Sequence, residues 1–172
     1  MTDESHNAPP TLPSWIAREN ARQAEAAKQA SQDAQQQFED SVKVNQGSPA
    51  FWKVLVDQLK FQAGGLDKLV GEELVGNVSQ LASGVEENCH IQVDRQSVSV
   101  GPALSRMDLY YQSGGMRIRR WYQGQDAGDI DLVRYGDEVR AVIVGHAPMT
   151  AYELAEHIVR SMAARVRGRR HA

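Results

Sequence analysis

The chain has 172 residues, 41% of them hydrophobic and 24% charged, with a formal net charge of −3 and a mean hydropathy of −0.49. That length suits one domain of ~100–200 residues, and no run approaches the roughly 18 consecutive apolar residues of a membrane-spanning helix. The acidic balance gives no global case for nucleic acid, and the lone cysteine, Cys89, excludes an intramolecular disulfide and a cysteine-based zinc site.

Residues 1–13 carry Pro9, Pro10 and Pro13 and no apolar period, so a disordered leader is expected, with no secretory signal. Ser14 stands where a helix N-cap belongs. From Trp15 to Gln46 there is neither Gly nor Pro, and Ala and Gln dominate. Ala17, Ala21, Ala24, Ala27, Ala30, Ala34, Phe38 and Val42 recur with the helical period, which predicts a helix over 14–47. Alanines bury little area. Such a stripe suits close approach of a second helix, as in a coiled coil, or else a loosely attached, solvated helix.

Gln46-Gly47-Ser48-Pro49 predicts a break, with Gly47 after one helix, Ser48 capping the next and Pro49 at its first position. The second helix is core-facing through Trp52, Leu55, Val56, Leu59, Ala63, Leu66, Val70 and Leu74. Gly64-Gly65 lies within it, at a cost of roughly 1 kcal/mol per Gly against Ala. Either another backbone comes close there or the pair is a hinge.

Residues 77–88 give a weak, mixed signal. Strands are predicted at 90–93, 97–100, 106–112, 116–123, 129–135 and 138–144 from period-2 patterning. Ser113-Gly114-Gly115 and Gly136-Asp137 read as hairpin connections. Thr150 to Glu153 forms a capping box. The closing helix places Leu154, Ala155, Ile158, Val159, Met162 and Val166 on one face and Glu156–Arg160 at i,i+4 on another. The expected fold class is α+β: a long N-terminal helix, a second core helix, an antiparallel meander sheet of about five strands and a C-terminal covering helix. The α+β body would span 48–167 and a basic tail 168–172.

The chemistry-bearing motifs are sparse. There is no P-loop, dinucleotide fingerprint, nucleophile elbow or His-Glu-x-x-His. Cys89 and His90 are adjacent, so on a strand they face opposite sides, and Cys89 reads as a small buried hydrophobe. His157 follows Glu153 by four residues, a surface pair. Asp126, Asp129 and Asp131 around Gly128 read as turn acids, because the spacing is not that of a calcium loop. His146, after Gly145 in the sheet-to-helix loop, is the one place for an unrecognised enzyme site. No catalytic, cofactor-binding or metal residue is assigned.

The most unusual feature is Arg117-Ile118-Arg119-Arg120-Trp121-Tyr122. On a strand, Arg117, Arg119 and Trp121 share one face, and Met116, Ile118, Arg120 and Tyr122 the other. Arginines beside aromatics stack on nucleobases and pair with phosphates, and they also make protein hot spots. The plainer alternative is a solvated face whose arginines pair with Asp108, Asp129 and Asp131. The C-terminal Arg165, Arg167, Arg169 and Arg170 either bind phosphate through charge or solvate the helix end.

The leading expectation is a non-catalytic, bacterial-type cytoplasmic module working by protein–protein contact or self-association through the first helix, with Phe38 and Val42 on its stripe. The alternative is a nucleic-acid-associated protein using Arg117, Arg119, Trp121, Arg167, Arg169 and Arg170. The third is a small enzyme near His146. No cofactor and no membrane partner are expected.

Overall fold

The computed structural model describes residues 13–75, 78–82, 95–112 and 114–170. Residues 1–12 of the expected leader, and the expected strand at 90–93 with Cys89 and His90, lie outside them. Among the described residues helix α1 spans Ser14–Val70, and six strands follow: β1 Ser79–Ala82, β2 Arg95–Val100, β3 Met107–Gln112, β4 Arg117–Tyr122, β5 Gln125–Tyr135 and β6 Glu138–Val142. Helix α2, Ala151–Arg170, closes the chain. The strands form one antiparallel sheet in sequence order, the meander that successive hairpins dictate. The α+β class is as the sequence indicates.

The break expected at Gln46-Gly47-Ser48-Pro49 does not occur: α1 continues through Pro49, so the long helix and the core helix are one. Pro49 has no N–H to give the Asn45 carbonyl. Ser48 compensates, its Oγ donating to Asn45 O at 3.5 Å while lying 2.8 Å from the Tyr111 Oη. Gly114 N–H donates to that same Tyr111 oxygen at 3.0 Å. A single run of donations, from Gly114 to Tyr111 to Ser48 to Asn45, satisfies all four groups. Ser48 is therefore a buried link to the sheet rather than a cap. The helix ends at Gly71, whose φ of +69° is the left-handed conformation of a helix C′ residue. The Asp67 carboxylate then accepts from the N–H groups of Leu74 and Val75, both at 3.0 Å.

The chain divides into two compact units between Glu39 and Asp40. In the second unit, alternate strand residues bury one face of the sheet: Val98 and Val100, Leu109 and Tyr111, Ile118, Ile130 and Leu132, and Ala141. Phe51, Trp52, Leu55, Val56, Leu59 and Ala63 of α1 join that core, as do Leu154, Ala155, Ile158, Val159, Met162 and Val166 of α2. Trp52 stacks on Tyr111 with ring centroids 5.1 Å apart. A Cβ at Gly47 would stand 2.6 Å from Val139 Cγ2, so only glycine lets the β5–β6 hairpin approach α1 this closely. The capping box forms as expected, with Thr150 N–H donating to Glu153 Oε2 at 2.7 Å and Glu153 N–H to Thr150 Oγ1 at 3.3 Å. Helix α2 runs on to Arg170, so the basic residues 168–170 are helical.

Strand β1 falls within the stretch whose pattern is weak, and it brings the sheet to six strands among the described residues. The acids at 126, 129 and 131 are not in a turn but along β5, next to a bulge in its pairing with β4 between Arg119 and Trp121. There Gly128, at φ +85°, donates its N–H to Asp126 Oδ1 at 2.8 Å. The β4–β5 turn is instead Gln123-Gly124, both residues at positive φ, as a two-residue hairpin of the primed type requires.

Candidate functional site

The three residues singled out on β4 do share the sheet's outer face, and their surroundings differ. Arg117 Nε lies 3.0 Å from Asp131 Oδ1 and its Nη1 lies 4.0 Å from Asp129 Oδ2. Its charge is met across the β4–β5 register. Asp108 belongs to Arg106, with Arg106 Nε 3.0 Å from Oδ1, and to Ser99, whose hydroxyl donates to it at 2.6 Å. Arg119 stands between Tyr110 on β3 and Asp129 on β5. Trp121 and Tyr110 are exposed on the same face. The polar, acid-balanced face is what an antiparallel sheet turns to water when its other face carries the core.

The opposite face of β4 holds a cluster that the sequence pattern does not announce. Arg120 and Tyr122 point to the α2 side. The Arg120 Nε donates to Gly128 O at 3.1 Å, and the Arg165 guanidinium lies 4.5 Å from the Tyr122 ring centroid. Burial lowers the pKa of Arg120, the neighbouring Arg165 adds to the shift, and Asp129 and Asp126 oppose it. His146 and His157 meet edge to face with centroids 4.8 Å apart. Burial lowers the pKa of His157, with further contributions from His146 and Arg120. Arg120 and Arg165 thus stand with the histidine pair on the α2 side of the sheet, and the lowered pKa of His157 favours its neutral form. The Glu153 carboxylate is held below its usual range chiefly by the Thr150 backbone hydrogen bond, so its role is capping. The expected Glu156–Arg160 pair forms at 2.6 Å. A shallow depression of about 480 Å³ lies beside it, lined by Met149, Glu153, Glu156, His157, Arg160 and Ser161.

No group of three or more His, Cys, Asp or Glu among the described residues can hold a metal ion. Arg167 is exposed on α2, and Arg169 and Arg170 occupy its last turn. On α1, Phe38 is 69% exposed and Val42 half-buried. A second hollow, of about 380 Å³, lies where α1, the β5–β6 hairpin and the start of α2 meet. Phe51, Val54, Val139 and Tyr152 form its apolar wall, with Lys43 and Glu138 at its rim. No helix among the described residues is long and apolar enough to cross a membrane.

Comparison of the chain with protein-family models, with curated proteins and with solved structures finds no match. Function rests on the residues alone.

Proposed function

We propose that the chain is a non-catalytic cytoplasmic module that works by helix-mediated protein contact, in the first place with a second copy of itself through residues 15–46. The observation that carries this reading is the exposure of a long stretch of good helix. Every residue from Ala17 to Glu39 is exposed, and Trp15 and Phe38 near its two ends are 67% and 69% exposed. A helix is marginal in water without packing on its apolar stripe. Here the stripe is mostly alanine, small enough to let two axes approach closely, with the apolar area concentrated at Trp15, Phe38 and Val42.

Sedimentation of the full chain across a concentration series tests this. Association is expected, and Ala24→Glu with Ala27→Glu should shift the protein toward monomer while the urea unfolding of the α+β body stays unchanged. A protein that is monomeric at every concentration overturns self-association through this segment. The nucleic-acid alternative now rests on Arg119, Trp121 and the α2 arginines, since Arg117 is matched by Asp131. Oligonucleotide binding that survives ~200 mM salt and is lost in Trp121→Ala would favour it instead.

A further inference from the structure

We infer that the solvent face of α1 between Val54 and Leu69 is a second, separate interface, on which two copies of the chain pair antiparallel about a two-fold axis. This surface is independent of the segment 15–46 and goes beyond that reading. Its residues lie opposite the core side of the helix. Phe61 is 75% exposed and Leu69 85%, and Val54 is also exposed. Asp57, Phe61, Gly64 and Lys68 follow at spacings of four, three and four residues, so they line one stripe of the helix.

That stripe is complementary to itself when reversed. Laid antiparallel on a second copy, Asp57 meets the other copy's Lys68, and Phe61 meets the other copy's Gly64. The same two contacts recur on the far side of the axis, as an isologous interface demands. In parallel pairing Asp57 would face its own like charge. The glycines supply the independent reason. A Cβ at Gly64 or at Gly65 would meet no atom within 4 Å, so nothing inside the chain requires glycine there. Both residues have ordinary helical φ, so no left-handed turn requires it either. A missing side chain opposite an exposed phenyl ring leaves a notch in which that ring fits. Close helix approach also needs small residues at the crossing, with interaxial distances of about 8 Å at the lower end. Asp57 and Lys68 are both exposed and too far apart along the helix to pair with each other.

The contact spans only a few helical turns, below the ~1,200–2,000 Å² of a standard stable interface. Association is therefore weak and sensitive to salt. Charge reversal on the full chain decides the matter. Asp57→Lys and Lys68→Asp, each alone, should weaken dimerisation about tenfold in sedimentation, since each breaks two symmetry-related pairs and sets like charges together. The double variant Asp57→Lys with Lys68→Asp should restore it. Gly64→Leu, which fills the notch, should weaken it without loss of helix by circular dichroism. Reversals that change nothing, or a double variant that does not recover, would overturn this interface. The two surfaces separate cleanly. Loss of association in Ala24→Glu with Ala27→Glu, but not in the reversals, supports the segment 15–46 and rejects this face, and the opposite pattern does the reverse.

Discussion

The two stretches of α1 on either side of Glu39 share a secondary structure and almost nothing else. Residues 14–39 repeat Ala and Gln and expose nearly every side chain. Residues 40–70 carry Phe51, Trp52, Leu55, Val56 and Leu59, all buried in the core of the body. Both stretches have the 3.6-residue period. Period alone therefore says only that a helix forms. What the helix does depends on side-chain volume at the repeating positions, because burial stabilises by roughly 25 cal/mol per Å² of apolar area. An alanine stripe has little area to bury and adds little packing energy to its helix, whereas a stripe of tryptophan and leucine supplies the core of a fold.

The sharpest way to break that comparison is to truncate one tryptophan in each stretch. Trp52 is buried, stacked on Tyr111, and its Nε1–H has no partner among the described residues. Trp52→Ala should cost about 3–5 kcal/mol, the usual range for an aromatic removed from a packed core. Trp15→Ala should fall within about 0.5 kcal/mol of wild type in the same urea titration, as an exposed change does. Equal effects would mean that the two stretches are not energetically distinct.

Much of this fold was legible in the chain, and what escaped notice shares one physical cause. Gly136-Asp137, the Thr150–Glu153 box and the Glu156–Arg160 pair are local signals, and each forms where local chemistry places it. The continuity of α1 through Pro49 is not local. It depends on Tyr111, 63 residues away, holding the Ser48 hydroxyl in the position from which it reaches Asn45 O. The strand at Ser79–Ala82 has little apolar alternation and exists through its ladder with β2. The acids at 126, 129 and 131 resemble a turn by composition, yet the β4 arginines lie across from them and draw the segment into the sheet. The faces of β4 were readable from alternation. That Arg120 would find Arg165 and His157 was not, since those residues come from a helix that sequence places beyond two further strands.

A smaller effect is expected at Gly47, where the core-bearing stretch of α1 packs against Val139 of the β5–β6 hairpin. Gly47→Ala gains helix propensity, worth at most about 1 kcal/mol. It also sets a Cβ 2.6 Å from Val139 Cγ2. Overpacking of this kind costs about 1–3 kcal/mol, so the net change in unfolding free energy should be destabilising by about 1 kcal/mol. A stabilised variant would show that the β5–β6 hairpin yields freely. Within the core-bearing stretch Gly65 is the opposite case, because its Cβ would meet nothing. Gly65→Ala should raise the unfolding free energy by up to about 1 kcal/mol. The converse exchange in the other stretch, Ala27→Gly, should lower helical ellipticity while leaving the cooperative transition of the body where it was.

The smallest effect should follow from the largest deletion. A chain beginning at Asp40 keeps Val44, Ser48 and the 2.8 Å pair between Arg134 Nη1 and Asp40 Oδ1. It also leaves an aspartate at the new helix start, where a carboxylate favours the positive end of the dipole. The described residues removed are nearly all exposed, so the unfolding free energy of the body should change by no more than about 0.5 kcal/mol, the scale of a surface change. A chain beginning at Ser48 is the informative contrast. It loses the buried Val44 side chain, whose burial is worth about 1.5–3 kcal/mol, together with the Asp40–Arg134 pair and the Asn45 carbonyl that Ser48 serves. It should therefore unfold at distinctly lower urea than the chain beginning at Asp40. If the two shortened chains unfold alike, the body's boundary lies nearer Ser48 than the burial of Val44 indicates. If the chain beginning at Asp40 is itself molten, with near-ultraviolet ellipticity lost and far-ultraviolet ellipticity kept, the alanine stretch belongs to the core. Side-chain volume would then be the wrong criterion for separating the two.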